Sequence, residues 1–116
     1  MNRGEIWLIN LDPTLGAEIQ KTRPVVILNS DAIGILPLRI SVPLTDWKDR
    51  YQLAAWMVRI APDGVNKLSK LSAADAFQIR SVSTARFVRK IGVLAQADTD
   101  AIVQAVGLVI EYPAAD

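Results

Sequence analysis

Apolar positions in the first 94 residues come in short runs, each closed by proline, glycine or a polar cluster, a spacing that predicts strands. Arg3 to Asn10 opens on a turn glycine and becomes a mostly apolar strand closed by Asp12-Pro13. Pro24 leads into a buried strand, Val25 to Leu28, ended by Asn29-Ser30-Asp31. Leu38 to Val42 is a third strand, with Pro43 expected at its end because proline has no N–H for a central ladder. Leu53 to Ile60 follows, with Ala54, Trp56, Val58 and Ile60 on one face. Pro62-Asp63-Gly64 marks a turn, and Ser72 to Val82 is a fifth strand ending in Phe77, Ile79 and Val82. Ser83 to Arg86 reads as a capped single helical turn, and Lys90 to Leu94 as the last strand. From Asp98 the spacing turns helical: Ile102, Val106, Val109 and Ile110 recur on one stripe, with Asp98 or Thr99 as cap and Pro113 as stop. The expected architecture is mainly β, six short strands in a strongly bent sheet or small barrel, with a C-terminal helix in a single domain over residues 1–116. That helix is apolar on more sides than one sheet covers, which predicts a second subunit against it.

Two polar loops interrupt this pattern, Thr14 to Thr22 and Thr45 to Gln52, long ones for so small a domain. Composition narrows what they can do. The chain has no Cys and no His, which removes thiolate nucleophiles, His-dependent triads and zinc sites built from those residues. Hydrophobic residues make up 51%, enough for a buried core at 116 residues. No apolar run approaches the ~18 residues of a membrane span, and no signal segment opens the chain, so a soluble, cytoplasmic protein is expected. The net charge of +1 is unevenly spread. Residues 1–92 carry all 13 bases against 8 acids, and residues 93–116 carry 4 acids and no base. A body at +5 points to an anionic ligand.

Three chemistries remain: paired carboxylates, Ser or Thr helped by Lys, and Arg or Lys electrostatics on a phosphate. Asp98 and Asp100 lie at a helix start, where acids favour the dipole. Asp46 and Asp49 stand beside Lys48 and Arg50 in a solvated loop, and no spacing among Ser69, Ser72 and Ser81 specifies a nucleophile. Phosphate electrostatics has positional support. Arg23 ends one polar loop and Thr45 begins the other, each beside a proline and a short buried strand (Arg23-Pro24, Pro43-Leu44-Thr45). Trp7 and Trp56 fall on apolar strand faces and are assigned to the core. Trp47, between Asp46 and Lys48, is open to stacking on a base. Lys21, Lys48, Arg50, Arg80 and Arg86 are candidate contacts to a nucleic-acid backbone.

The stretch RGEIWLINLDPTLGAEIQKTRPVVILNSD, Arg3 to Asp31, resembles the N-terminal signature of the MazF/PemK-type toxins, ribosome-independent mRNA interferases of toxin–antitoxin pairs. Val42-Pro43-Leu44-Thr45, Gly64-Val65-Asn66-Lys67, Phe77-Gln78-Ile79-Arg80-Ser81-Val82 and Lys90-Ile91-Gly92 extend the resemblance in order along nearly the whole chain. It implies a small SH3-like barrel, a homodimer, sequence-selective cleavage of single-stranded RNA without metal or cofactor, and a cognate antitoxin as partner. The family's catalytic arginine falls on Arg23, its catalytic threonine on Thr45, the acid of its first loop on Glu18, and a glutamine of its RNA groove on Gln78. Many relatives have Ser at the position of Ala17 and an acid at that of Phe77, departures that bear on base specificity. Such chemistry suits a chain without His or Cys, because RNA brings its own nucleophile, the 2′-hydroxyl.

Two other function classes fit the same architecture. A gyrase-poisoning toxin of the CcdB type depends on a tryptophan near its C-terminus, and this chain has no Trp after position 56. An SH3-like peptide-binding module has no need of Arg23 and Thr45 at loop roots.

Overall fold

The computed structural model describes residues 1–11 and 22–113. Seven strands form one antiparallel sheet: β1 (Glu5–Asn10), β2 (Thr22–Ile27), β3 (Leu38–Asp46), β4 (Met57–Ile60), β5 (Ser72–Asp75), β6 (Arg80–Ser83) and β7 (Phe87–Val93). One helix, α1 (Gln96–Val109), follows. The strand order is β4-β5-β3-β2-β1-β7, with β6 also beside β3. This path keeps two unpaired ends, so the sheet is the bent, open form of the expected barrel. Side chains alternate across it and feed two cores. Ile6, Val26, Leu28, Val42, Leu44 and Ile60 pack with Ile102 of α1 on one face, and Ile9, Val25 and Val82 pack on the other. At roughly 1.5–3 kcal/mol for each fully buried aliphatic side chain, these clusters are the main stabilising term.

The central strands differ from the expectation in an instructive way. β3 runs past Pro43 to Asp46, so Pro43 lies inside the strand and Thr45 is a strand residue. Leu28 donates its N–H to the Ile40 carbonyl at 2.9 Å, so even-numbered positions of β3 aim their polar groups at β2 and odd-numbered ones away from it. Pro43 therefore turns its nitrogen to the side where β3 exchanges β6, paired up to Ser41, for β5, paired from Leu44. No donor is needed at that gap. By the same alternation Pro24 of β2 aims at β3 and has no N–H to give. The β2–β3 ladder ends there, at Val25 opposite Pro43.

Three further expectations are corrected. The Ser72 to Val82 strand is two strands, because the Asp75 side chain accepts from the Phe77 N–H at 3.2 Å and folds Ala76–Gln78 into a 3₁₀ turn. Only Met57–Ile60 of the Leu53 to Ile60 segment pairs, since Asp49–Leu53 also coils into a 3₁₀ turn. Trp56 thereby leaves the core: it is 39% exposed and meets Phe77 edge-on at 6.1 Å. The helix begins at Gln96 rather than at a cap on Asp98 or Thr99. Ala95 occupies the cap position, and the Thr99 hydroxyl instead donates to the Ala95 carbonyl at 3.2 Å. Its C-terminus closes before Pro113 with Glu111 in the left-handed region (φ 59°) and the Tyr112 N–H on the Gly107 carbonyl at 2.8 Å. The helix buries Thr99, Ile102 and Ala105 and leaves Val103, Leu108 and Ile110 exposed. Among the described residues no helix is long and apolar enough to cross a membrane.

Other local readings hold. Ser83 caps Thr84–Arg86 through its hydroxyl, which accepts from the Ala85 N–H at 3.3 Å. The turn after Pro62 is built on Asn66, which is fully buried. Its Oδ1 accepts from Asp63 and Leu68, both at 3.0 Å, and its Nδ2 donates to the Ala61 carbonyl at 2.9 Å. Gly92 passes so close that a Cβ there would lie 2.3 Å from the Asn66 carbonyl oxygen, which explains why β7 carries a glycine at that point.

Glu5 ties β1 to β7. Burial pushes its carboxyl upward, but the Trp7 indole N–H, the Asn2 N–H and the Lys90 ammonium outweigh that effect and hold its pKa at about 2, below the ordinary 4.5. A depressed carboxyl contributes stability that is full above its unfolded pKa and is lost as pH falls through the folded one. Wild type should therefore lose on the order of 2–3 kcal/mol more than Glu5→Gln between pH 6 and pH 2. Urea titrations across that range check this, and parallel losses in the two proteins would contradict it.

Candidate active site at the open end of the β2–β3 ladder

Beyond the last paired residues of β2 and β3, Arg23 and Thr45 stand across from each other in register, two steps past Val25 and Pro43. With the ladder ended, the chains part and leave two depressions on either side of this pair. One, of about 340 Å³, is lined by Thr22, Arg23, Pro24, Thr45, Lys70 and Ser72 among others. The other, of about 190 Å³, is lined by Arg23, Pro43, Thr45, Tyr51, Met57, Asp75 and Gln78. Arg23 and Thr45 belong to both. Each is half-buried, and no described residue hydrogen-bonds or ion-pairs with either side chain.

The second depression has a fixed wall. Asp75, 8% exposed, takes the Gln78 Nε2 at 2.8 Å on its Oδ2 while its Oδ1 holds the Phe77 N–H. A carboxylate only accepts, so it fixes the Gln78 amide with nitrogen toward Asp75 and leaves Oε1 as the outward acceptor. Sequence reasoning missed Asp75. Its signal was legible, a lone acid among alanines in Ala73-Ala74-Asp75-Ala76, where an acid must be partnered to be buried. Tyr51, Met57, Ser69 and Lys70 were missed as well. Lys70 reaches across the first depression to Asp46 at 3.2 Å, which accounts for one of the two loop acids without a metal.

The remaining expected residues divide. Gln78 joins Arg23 and Thr45. Trp47 is half-buried rather than free, with its ring edge-to-face on Tyr51 at 5.8 Å, so it buttresses the second depression through that tyrosine. Lys48 is exposed at the start of the Asp49–Leu53 turn, and Arg80 is exposed on β6 opposite Ser41; neither lines a depression. Glu18 and Lys21 lie outside the described residues.

An arginine and a threonine without partners among the described residues, beside an oriented amide, can bind two phosphate oxygens and a neighbouring base at once. The model of the family of PemK-like, MazF-like toxins of type II toxin–antitoxin systems matches residues 2–110. The chain belongs to this toxin family. Endoribonuclease MazF9 of Mycobacterium tuberculosis is 32% identical over 104 residues, covering 84% of this chain and 86% of its own length. Endoribonuclease PemK of Escherichia coli is 44% identical over 66 residues, 56% of this chain and 48% of PemK. A mycobacterial endoribonuclease solved in complex with its cognate antitoxin superposes with a TM-score of 0.77 at 17% identity, over 99% of both chains, which establishes the shared toxin fold.

Proposed function

We propose that this PemK/MazF-type toxin is an endoribonuclease that cuts single-stranded mRNA at a short sequence, halts translation and growth, and is neutralised by a cognate antitoxin. One observation carries the reading: Arg23 and Thr45 border the same two depressions past the end of the β2–β3 ladder, and neither side chain has a partner among the described residues. In the proposed reaction the 2′-oxygen of the RNA attacks the adjacent phosphorus and the bond to the 5′-oxygen breaks. The products are a 2′,3′-cyclic phosphate and a 5′-hydroxyl. Arg23 forks onto the two non-bridging oxygens, where its permanent charge offsets the extra charge of the phosphorane. Thr45 orients the phosphate or the attacking hydroxyl, Glu18 is the candidate acceptor for the 2′-proton, and water gives the departing 5′-oxygen the proton that makes it a hydroxyl. Gln78 Oε1 takes a donor from a flanking base. Lys21, Lys48, Trp47 and Arg80 are auxiliary contacts in this scheme. A cytoplasmic location follows from such a substrate, and an acidic, partly disordered antitoxin segment over Arg23 and Thr45 would block the site by charge complementarity.

We further propose a homodimer. Ile33, Leu36, Leu38 and Ile40 are each 44–57% exposed and line an apolar hollow of about 180 Å³, with Ile35, 93% exposed, on the same segment. A concave apolar patch beside an apolar knob is self-complementary, as a two-fold interface requires. Sedimentation at micromolar concentration should give a dimer mass for wild type and a monomer mass for Ile40→Asp. A monomeric wild type would refute the dimer; a dimeric Ile40→Asp would move the interface to the exposed side of α1.

Arg23→Lys keeps the charge but cannot reproduce two parallel hydrogen bonds. Single-turnover cleavage should fall by about 10²–10³, the usual cost of a lost transition-state donor, while RNA affinity falls far less. A rate within a few-fold of wild type would reduce Arg23 to a steering charge.

A further inference from the structure

A third depression, of about 360 Å³, adjoins the first through shared walls. Pro24, Leu68 and Ser69 line both, and Lys67, Arg89 and Ile91 complete the third. Arg23 and Thr45 border the first depression as well as the second, so the first and third together extend from that pair. This groove runs from the Arg23–Thr45 pair past Lys70 to Lys67 and Arg89. Among the described residues the charges at its far end are all positive: no acid lines the third depression, and neither Lys67 nor Arg89 has an ion-pair or hydrogen-bond partner for its side chain.

The two cations are also held in place by the frame. Lys67 has a left-handed backbone (φ 55°) and donates its N–H to the Asp63 carbonyl at 3.0 Å, on the turn organised by buried Asn66. That turn is clamped to β7 by the Val93 N–H on the Val65 carbonyl at 3.1 Å and by the close passage of Gly92. Arg89 lies on β7 opposite Leu8, two residues from Ile91, whose side chain shares its face and the same depression. Rigid backbone on both walls fixes the points from which the two side chains reach into the depression. Between the ends, Lys70 is paired with Asp46 only through an exposed contact, and a phosphate can take that place.

We propose that an RNA strand cut at Arg23 and Thr45 continues along this groove, and that Lys67 and Arg89 bind its backbone phosphates several nucleotides from the scissile bond. This extended phosphate subsite rests on the endoribonuclease reading and deepens it. It makes affinity depend on RNA length on one side of the cleavage position only, because the groove continues past Lys70 in one direction.

The test uses the full chain and labelled RNA carrying a mapped cleavage word, with a 2′-deoxy nucleotide at the scissile position. Three oligonucleotides are compared: the bare word, the word lengthened by about five nucleotides on its 5′ side, and the word lengthened equally on its 3′ side. One extension should tighten binding to wild type at least about tenfold and steepen the salt dependence; the other should not. In Lys67→Gln/Arg89→Gln that gain should collapse to within about two-fold, with the log–log salt slope for the extended RNA shallower by about 1.4, roughly 0.7 per phosphate contact on a single strand. Equal weakening for all three RNAs, or an undiminished gain in the variant, would overturn the subsite. If wild type cuts no long single-stranded RNA, the endoribonuclease reading itself fails; the subsite is then judged on mixed-sequence RNAs of the short and long lengths, by the same loss of length dependence. Both replaced side chains are exposed, so an unchanged thermal midpoint verifies that the variant is folded.

Discussion

A strand ladder continues only where each chain supplies its N–H donors, and this sheet withholds one at each of two neighbouring points. Pro24 has nothing to give β3, and Pro43 has nothing to give the gap between β6 and β5. The β2–β3 ladder therefore holds over the cores and ends at Val25 and Pro43. Arg23 and Thr45 are the next side chains past that opening. Both depressions that flank them, and the groove that extends from one of these, follow from the same missing hydrogen bonds.

An opening of this kind would be soft if nothing held its rim, but the rim is tied from three directions. Asp75 takes two hydrogen bonds within one turn and fixes the Gln78 amide. Trp47 braces Tyr51, and the Asn66 turn is locked against Gly92. Preorganised groups lose little on meeting a transition state, which is where electrostatic catalysis gains most of its advantage. The absence of His and Cys becomes intelligible in this setting. A chain that positions a substrate carrying its own nucleophile needs charge and rigidity more than a nucleophile of its own.

Much of this was legible in the sequence where chemistry is local. Strand β1, the Ser83 cap, the turn at Pro62-Asp63-Gly64 and the apolar stripe through Ile102 are set by neighbours in sequence, and they appear near where they were expected. The departures share one cause, a long-range partner that overrides a local rule. A missing N–H argues for Pro43 at a strand end, but a proline is tolerated mid-strand where the neighbouring strand changes. Alternation places Trp56 in the core, yet the segment before it coils into a 3₁₀ turn and leaves the ring on the surface. Asp75 divides one expected strand into two, because its carboxylate satisfies the turn better than a ladder would. Prolines and loop ends point to Arg23 and Thr45, the family resemblance adds Gln78, and the three line one depression. Asp75, Tyr51, Lys67 and Arg89 are not singled out in this way, since only folding brings β5, β7 and the two turns beside them.

In the proposed mechanism the protein positions and the RNA attacks. It is tested most directly by single-turnover cleavage of two oligonucleotides that share a mapped cleavage site and differ only in the 2′-group at that position, with a binding titration of each alongside. Hydroxyl should be cut to a 2′,3′-cyclic phosphate and a 5′-hydroxyl end, while hydrogen should be bound within a few-fold as tightly and not cut at all. Normal cleavage of the deoxy-substituted RNA would mean that a protein group or water is the nucleophile, and would contradict the account.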